Sequence, residues 1–463
     1  MTQPRRGWLA AITAAMLWAT TPVIAQAQSL IRDTEIEMII RQGADPILEA
    51  SGLEPDDVTI MLIADPTLNA FATQGQRMGF HTGLILEADT PNEFLGVLAH
   101  EAGHLSGGHT IRGDLQRAGM RPFLLTMGLG VLAALAGAPD AAAALIGSST
   151  YFGTLGALRY SRSQEAAADQ AAVSALEASG VSGRGLVEFF ENFRYQEVFS
   201  EERRFPFFRS HPLSSDRIFN LRRRVQEQPH YDMVDSEEAL FQHRVMQAKL
   251  YAFLNPPANT LQRYPSSDTS YEARYARAIA AYRASHIDDA ILQIDALLQE
   301  HPDNPFLWEL KGQVLFEAGR PAEAEPAHRR SVELMPEAGL LRLNLAQAII
   351  ALDDRSRMEE AIAELHRSLA YERDNPFAYL LMSQAYGALG EDGMARLAQA
   401  EYHFSIGEMD EAQRSAVFAR SRLEAGSVPY RRAVDIILAT GATFEDIEEL
   451  DRTTAQNAEQ EFQ

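Results

Sequence analysis

The second half of the chain repeats itself every 34 residues, and that period restricts the possible folds more than any other feature. Tyr282 and Phe316 lie 34 residues apart, as do Ala290 and Ala324, and again Ala361 and Ala395. Asp303-Asn304-Pro305-Phe306 returns as Asp374-Asn375-Pro376-Phe377, with a small insertion between them at Asp353-Asp354-Arg355-Ser356-Arg357. A unit of this length holds two helices and a turn, and it cannot bury its apolar face alone. Copies therefore stack into an α-solenoid with a concave surface suited to polypeptide partners. Gly319, Gly390 and Gly407 are placed to end first helices before their turns. The repeats are expected over 269–425, after a helical linker at 226–268 with a helix from Ala239 to Phe253, and before a C-terminal tail at 426–463. An unrelated helical bundle is the alternative.

Upstream stands Leu98-Ala99-His100-Glu101-Ala102-Gly103-His104. On a helix, positions i and i+4 share a face, so His100 and His104 can reach one ion while Glu101 sits beside it to handle a water. This is the HExxH pattern of zinc metalloproteases. Thr90 as cap, Pro91 in the first turn and Glu93 as the return arm of a capping box favour the helix. A catalytic zinc ordinarily has a third protein ligand and an open position. The alanine-rich segment Arg162–Ala172 supplies Glu165 and Asp169 at i, i+4: Glu165 can complete the site, and Asp169 can hold the free ring nitrogen of a ligand histidine. His81 and His109 are weaker candidates as extra ligands. One zinc per chain is expected.

The chain has 463 residues, a net charge of −23 and no cysteine. Such acidity disfavours nucleic acid as a partner, and without cysteine there is neither a disulfide nor a thiolate metal site. Arg5 and Arg6 followed by an apolar run to Ile24, with small residues to Ala27, read as a cleaved signal peptide over 1–27. An uncleaved anchor is the alternative. The mature protein is expected to be periplasmic. Residues 30–50 read as an amphipathic helix, and Val58–Ile63, Asn69–Ala72 and Met78–Ile85 as strands of a small sheet whose edge can dock an extended peptide. The apolar stretch 122–147 is short for a bilayer span. It reads as a buried helical hairpin, or else as one that touches a membrane.

Four segments, taken in order, carry a resemblance. Asn69-Ala70-Phe71-Ala72, His100–His104, Ser161-Arg162-Ser163-Gln164-Glu165-Ala166-Ala167-Ala168-Asp169 and Ser210-His211-Pro212-Leu213-Ser214-Ser215-Asp216-Arg217-Ile218 resemble the HtpX and CAAX-protease metallopeptidases, across roughly residues 29–420. With a signal peptide and tetratricopeptide-length repeats, the chain is most similar to the periplasmic protease–chaperone members of that family. The resemblance implies a metallopeptidase domain at 28–225, mainly α with a small β-sheet, with zinc on His100, His104 and Glu165 and Glu101 as the base. It also implies His211 at the active site, as a reversible fourth ligand that plugs the metal or as a stabiliser of the oxyanion; Arg217 is the other candidate donor and, with Asp169, is placed in the layer that supports the ligands. The aromatic and charged segment 195–209 suits a mobile flap or an ordinary surface loop. The implied partners are unfolded or stalled outer-membrane proteins and, through the repeats, the β-barrel assembly machinery. The function implied is quality control by an endopeptidase. The alternative is a chaperone or assembly adaptor with a plugged, rarely active site.

Overall fold

Ile36, Ile40, Ile47 and Leu48 fall on one face of the first helix, α1 (Thr34–Ala50), and are buried. Asp33 caps it, its side chain accepting from the Ile36 amide. The computed structural model describes residues 30–109, 162–199, 211, 214–373, 375–443 and 446. The expected signal peptide, the apolar stretch 122–147, residues 200–209 of the expected flap and the last residues, 451–463, lie outside the described residues. Among the described residues no helix is long and apolar enough to cross a membrane.

The sheet has four strands, β1 (Leu30–Ile31), β2 (Thr59–Ile63), β3 (Ala70–Thr73) and β4 (Arg77–His81), in the order β1-β2-β4-β3. β2 and β4 run parallel, with Ile63 opposite His81; β1 and β3 are antiparallel to their neighbours. β4 ends at His81, four residues sooner than the apolar run Met78–Ile85 suggests. Thr82 and Gly83 both bond back to the Asp65 carbonyl at 3.0 Å, and the chain turns into a short helix, α2 (Thr82–Glu87). Leu84 and Ile85 are fully buried in that helix. A short apolar run bounded by polar residues does not distinguish a buried strand from a buried helical turn.

Helix α3 (Pro91–Ser106) opens with the expected cap: Thr90 accepts from the Glu93 amide at 3.3 Å. The return arm lands one residue early, with Glu93 accepting from the Asp89 amide at 2.8 Å. Among the described residues three more helices follow in this half: α4 (162–178), α5 (Arg184–Phe199) and α6 (Ser215–Gln226). Residues 195–199, expected in the flap, thus end α5. Phe80, Phe94, Val97, Leu98, Leu186 and Phe190 join in one core between the sheet and α3, α4 and α5.

Helix α7 (Glu237–Leu254), foreseen as a linker helix, is buried on two sides. Met246 and Leu250 belong to the core just described, whereas Val245, Ala248 and Ala252 belong to the core of the first repeat. Gln247 and His243 tie it to the Ala88 carbonyl at 2.8 and 2.9 Å. A short helix, α8 (Pro257–Arg263), follows. Then come the hairpins: α9 (Tyr271–Arg283) with α10 (Ile287–Glu300), α11 (Pro305–Glu317) with α12 (Pro321–Leu334), α13 (Gly339–Ile350) with α14 (Met358–Tyr371), and α15 (Pro376–Leu389) with α16 (Asp392–Ser405). The recurring asparagines are the caps: Asn304 accepts from the Phe306 and Leu307 amides, and Asn375 from that of Phe377. Gly319, Gly390 and Gly407 sit at helix ends with φ of 74°, 80° and 82°, where a side chain would be strained. α16 also packs on α17 (Met409–Arg422). Residues 428–439, assigned from sequence to the tail, form α18 (Val428–Ala439), whose Ala433, Ile436 and Ile437 bury against Leu397, Ala412 and Ala416. The fold is therefore mainly α with one small sheet, followed by an α-solenoid.

Candidate functional site

Two close helix crossings build the site. Gly103 lies within the HExxH segment, and a Cβ there would stand 2.7 Å from the Ala168 carbonyl oxygen. Glycine lets α4 approach α3 closely enough for Glu165 to reach the histidines. At Gly96 a Cβ would stand 2.7 Å from the Leu186 backbone, so α5 closes on the other side. The Phe190 ring from α5 lies edge-on to His100, with centroids 6.0 Å apart.

Four side chains converge. His100 Nε2 is 3.2 Å from both His104 Nε2 and His211 Nδ1. Glu165 Oε2 is 3.2 Å from His211 Nδ1 and 3.4 Å from His100 Nε2, and Glu165 Oε1 is 3.4 Å from His104 Nε2. All four residues are buried. Atoms that share one ion at tetrahedral angles and about 2.0–2.1 Å lie roughly 3.3 Å from each other. The separations of 3.2–3.4 Å match that spacing, and with all four ligand atoms within 4.8 Å of one another, three imidazole nitrogens and a carboxylate oxygen converge on a place for one ion. Sequence reasoning named each of these residues, and the structure brings all four together.

The next layer fixes their orientation. Asp169 Oδ1 stands 3.0 Å from His100 Nδ1, and His109 Nδ1 is 3.2 Å from His104 Nδ1. Each HExxH imidazole thus has its second nitrogen held by a neighbour, the arrangement that sets ring direction at metal centres. His109 was weighed as a ligand; it instead backs His104. Its position follows from the turn after α3, where its amide bonds the His104 carbonyl at 2.9 Å. His81 is not in the cluster: it bonds Thr67 Oγ1 at 2.9 Å and lies 3.5 Å from Asp65. Arg217 grips Asp169 through two nitrogens at 2.6 and 2.8 Å and reaches Glu165 Oε2 at 2.9 Å. Its guanidinium also lies 5.2 Å from the Phe190 ring centre. Arg217 is thereby bound to both acids, in the layer around the ligands where the sequence reading placed it with Asp169 besides naming it a candidate oxyanion donor.

Electrostatics agree with a cation's site. Burial opposes the ionised form of Glu165, but hydrogen bonds with His100, His104 and His211 hold its carboxyl well below the usual range. Burial likewise opposes ionised Asp169, and Arg217 and His100 pull it down. Burial lowers His104 and His109. For His100 burial also acts downward, yet Asp169 and Glu165 push it up to about 9. Glu101 is 0% exposed, and both of its carboxylate oxygens lack a hydrogen-bond partner among the described residues. Its Oε1 faces His211 Nε2 at 3.5 Å. A buried carboxylate without partners is costly, and it is kept here next to the converging ligands.

On the free side of the sheet, β3 is an edge strand that also packs against α3. A cavity lined by Glu165, Arg217, Arg162 and Arg224 opens on the opposite flank.

The description "Peptidase family M48" matches residues 31–225. The beta-barrel assembly-enhancing protease of Escherichia coli is 26% identical over 381 residues, covering 80% of this chain and 76% of that one. Its Yersinia pestis counterpart is 24% identical over 375 residues, with the same coverage of 80% and 76%. Metalloprotease LoiP of Escherichia coli is 32% identical over 164 residues, 34% of this chain and 59% of that one. Among solved structures, the crystal structure of MamA aligns with 39% of this chain and 96% of that chain, at 20% identity and a TM-score of 0.29. The buried His/Glu cluster, the HExxH helix and the matched segment agree: residues 31–225 are a family M48 metallopeptidase domain, and the chain resembles the beta-barrel assembly-enhancing proteases over most of its length.

Proposed function

We propose that this protein is an exported zinc endopeptidase that acts on misassembled outer-membrane proteins. The observation that carries the reading is the convergence of His100, His104 and Glu165 at 3.2–3.4 Å beside the buried carboxylate of Glu101, which has no hydrogen-bond partner among the described residues. The proposed ligands are those three residues, with zinc as the ion because imidazole and carboxylate donors at tetrahedral spacing suit it. When bound, zinc supplies Lewis acidity that brings a water's pKa toward neutrality and polarises the scissile carbonyl. Glu101 takes that water's proton and passes it to the leaving amine. Asp169 and His109 hold the ligand imidazoles in direction, and Arg217 pins Asp169 and Glu165. An extended substrate can add to the free edge of β3.

The wider reading rests on the relatives' names and on the chain's own layout. Cleavage of 1–27 would release a periplasmic protein with the peptidase at 28–225, the α7–α8 region at 226–268, repeats at 269–425 and the remainder to 463. The repeats would recruit unfolded or stalled outer-membrane proteins and contact the β-barrel assembly machinery. Elemental analysis of the purified mature protein should find one zinc per chain, reduced in Glu165→Gln. Asp169→Asn should weaken zinc binding by roughly 10–100-fold, as outer-layer changes do. Undiminished zinc in Glu165→Gln would remove that residue from the ligand set.

One observation favours a second, regulatory reading. His211 Nδ1 stands 3.2 Å from both His100 Nε2 and Glu165 Oε2, at the position a catalytic site leaves open for water. A neutral imidazole there makes a latent enzyme, or an adaptor that seldom cleaves. His211→Ala should then hydrolyse a small peptide faster than wild type. If His211 instead steadies the oxyanion, the same change should slow the reaction roughly a hundredfold or more with zinc retained. The sign of the change in a zinc-loaded assay decides.

A further inference from the structure

Away from the metal centre, β1 and the start of α1 face α7, α11 and α13 across a cavity of about 450 Å³. Its surroundings are short of positive charge. Lys249 is buried beneath it and contacts Asp33 at 2.8 Å and Glu35 at 3.0 Å, and the Tyr275 hydroxyl donates to Glu35 at 2.9 Å. One ammonium thus faces two carboxylates. Glu309 and Glu317, both lining the cavity, add a third and a fourth. Arg32, the cation at the rim, is engaged by Glu37 at 2.8 Å and Glu372 at 2.5 Å. Burial pushes Glu309 up to about 8; Lys249 opposes this, and Asp33 and Glu35 reinforce it.

A second observation is independent of the acids. His328 lines the same cavity, is 3% exposed, and its Nδ1 has no hydrogen-bond partner among the described residues. The ring bonds the Gly312 backbone and lies where a Cβ on Gly312 would come within 2.6 Å. Burial lowers His328 to about 4, which leaves the ring neutral, with Nδ1 a polar atom facing no hydrogen-bond partner among the described residues. Glu309 Oε2 is likewise without a hydrogen-bond partner among the described residues; Oε1 accepts from Asn344 at 3.1 Å. The rest of the wall is suited to an extended chain. Gln313 and Gln347 stand one 34-residue period apart and both line the cavity; Gln313 Nε2 donates to Glu317 at 3.0 Å, leaving its amide oxygen and the Gln347 amide for a peptide main chain. Phe253, Leu254 and Phe316 give an apolar flank long enough for an aliphatic stem.

We propose that this cavity binds a lysine or arginine side chain carried by an extended segment of a polypeptide, the cation meeting Glu309 and Glu317 and the stem lying on Phe253, Leu254 and Phe316. This rests on the reading that the repeats recruit polypeptides, and it adds what they select. The occupant follows from charge complementarity: Asp33, Glu35, Glu309 and Glu317 outnumber Lys249 and the engaged Arg32, which disfavours an anionic segment, and an apolar one would leave Glu309 Oε2 without a hydrogen-bond partner among the described residues.

The test is fluorescence anisotropy on the full chain carrying Glu101→Gln, so that nothing is cleaved. The probes are labelled heptapeptides Gly-Ser-Leu-X-Leu-Ser-Gly with X as lysine, arginine, norleucine or glutamate. The lysine and arginine peptides should bind at least tenfold tighter than the norleucine peptide, and the glutamate peptide weakest. Glu309→Gln with Glu317→Gln should bring lysine and norleucine within twofold. Leu254→Arg, a change at a position 39% exposed and so harmless to the core, should do the same. Equal affinities in the parent, or a preference that survives both variants, overturns the proposal. So does a dimer of the free chain in sedimentation that Leu254→Arg disperses, since the cavity then belongs to a second copy. Hydrolysis of an uncharged quenched peptide by the chain with Glu101 intact is measured alongside. Loss of that activity with the cation preference kept would sink the peptidase reading alone; the reverse would sink only the cavity.

Discussion

Replacing Glu101 by glutamine is expected to lower peptide hydrolysis by roughly 10³–10⁴-fold while zinc content and melting temperature stay at or above the parent's. The amide has the shape of the carboxylate but cannot accept the water's proton, so the step that needs a base is lost and the site's geometry is not. The stability half of the prediction is as informative as the kinetic half. Glu101 is 0% exposed, and neither oxygen has a hydrogen-bond partner among the described residues. A structural carboxylate would be paired, and its removal would leave a partner stranded. Here no hydrogen-bond partner among the described residues is stranded and the 3.5 Å ion contact with His211 Nε2 is the interaction weakened, so the variant loses activity without losing fold. Cleavage of unfolded substrate near the parent rate would overturn the assignment of Glu101. A large fall in melting temperature would show that the carboxylate holds the helices together.

What the sequence made legible was what local periodicity encodes. His100 and His104 are one helical turn apart, Glu165 and Asp169 likewise, and the hairpins follow from the 34-residue period. The structure brings the two helix turns to one point because Gly103 admits α4, a close approach written in a single small residue. What was missed depends on contacts between distant segments. The apolar run to Ile85 reads as strand because nothing local records that Thr82 and Gly83 bond Asp65. His109 backs His104 only because the turn at Gly107 and Gly108 folds it back. Helix α7 read as a linker, although Val245, Met246, Ala248, Leu250 and Ala252 leave it no consistently polar face. A helix with apolar residues on more than one face packs on more than one side, and that signal was present. Lys249 within it was the residue whose meaning only the fold supplies.

Lys249→Met is expected to destabilise the protein by about 3–5 kcal/mol, the usual cost of breaking a buried ion pair by removing one partner. The Lys249 side chain is 4% exposed and is the counter-ion of Asp33 and Glu35 on α1. Methionine fills the space of the stem, so packing is nearly kept and the loss is electrostatic. Glu35→Gln added to the variant should recover much of the loss, since fewer unpaired charges then stay buried. The pH dependence has a definite sign. Burial already raises Glu35 and Lys249 opposes that, so without the ammonium the folded-state pKa of Glu35 stands further above its unfolded value. The penalty is absent below the unfolded value, grows as pH rises from there to the folded value, and is complete above it. The variant should therefore lie closer to the parent at pH 5 than at pH 8 in urea titrations. Location matters too: α7 contributes Met246 and Leu250 to one core and Val245, Ala248 and Ala252 to the next, so the Lys249 cluster sits where the peptidase meets the first repeat. With 1–27 removed, Trp308 in α11 is the one tryptophan left of Trp8, Trp18 and Trp308. Its fluorescence should track far-UV ellipticity in the parent and unfold at lower urea than the ellipticity in the variant. Coincident transitions in Lys249→Met would show that the two cores are coupled by apolar packing alone.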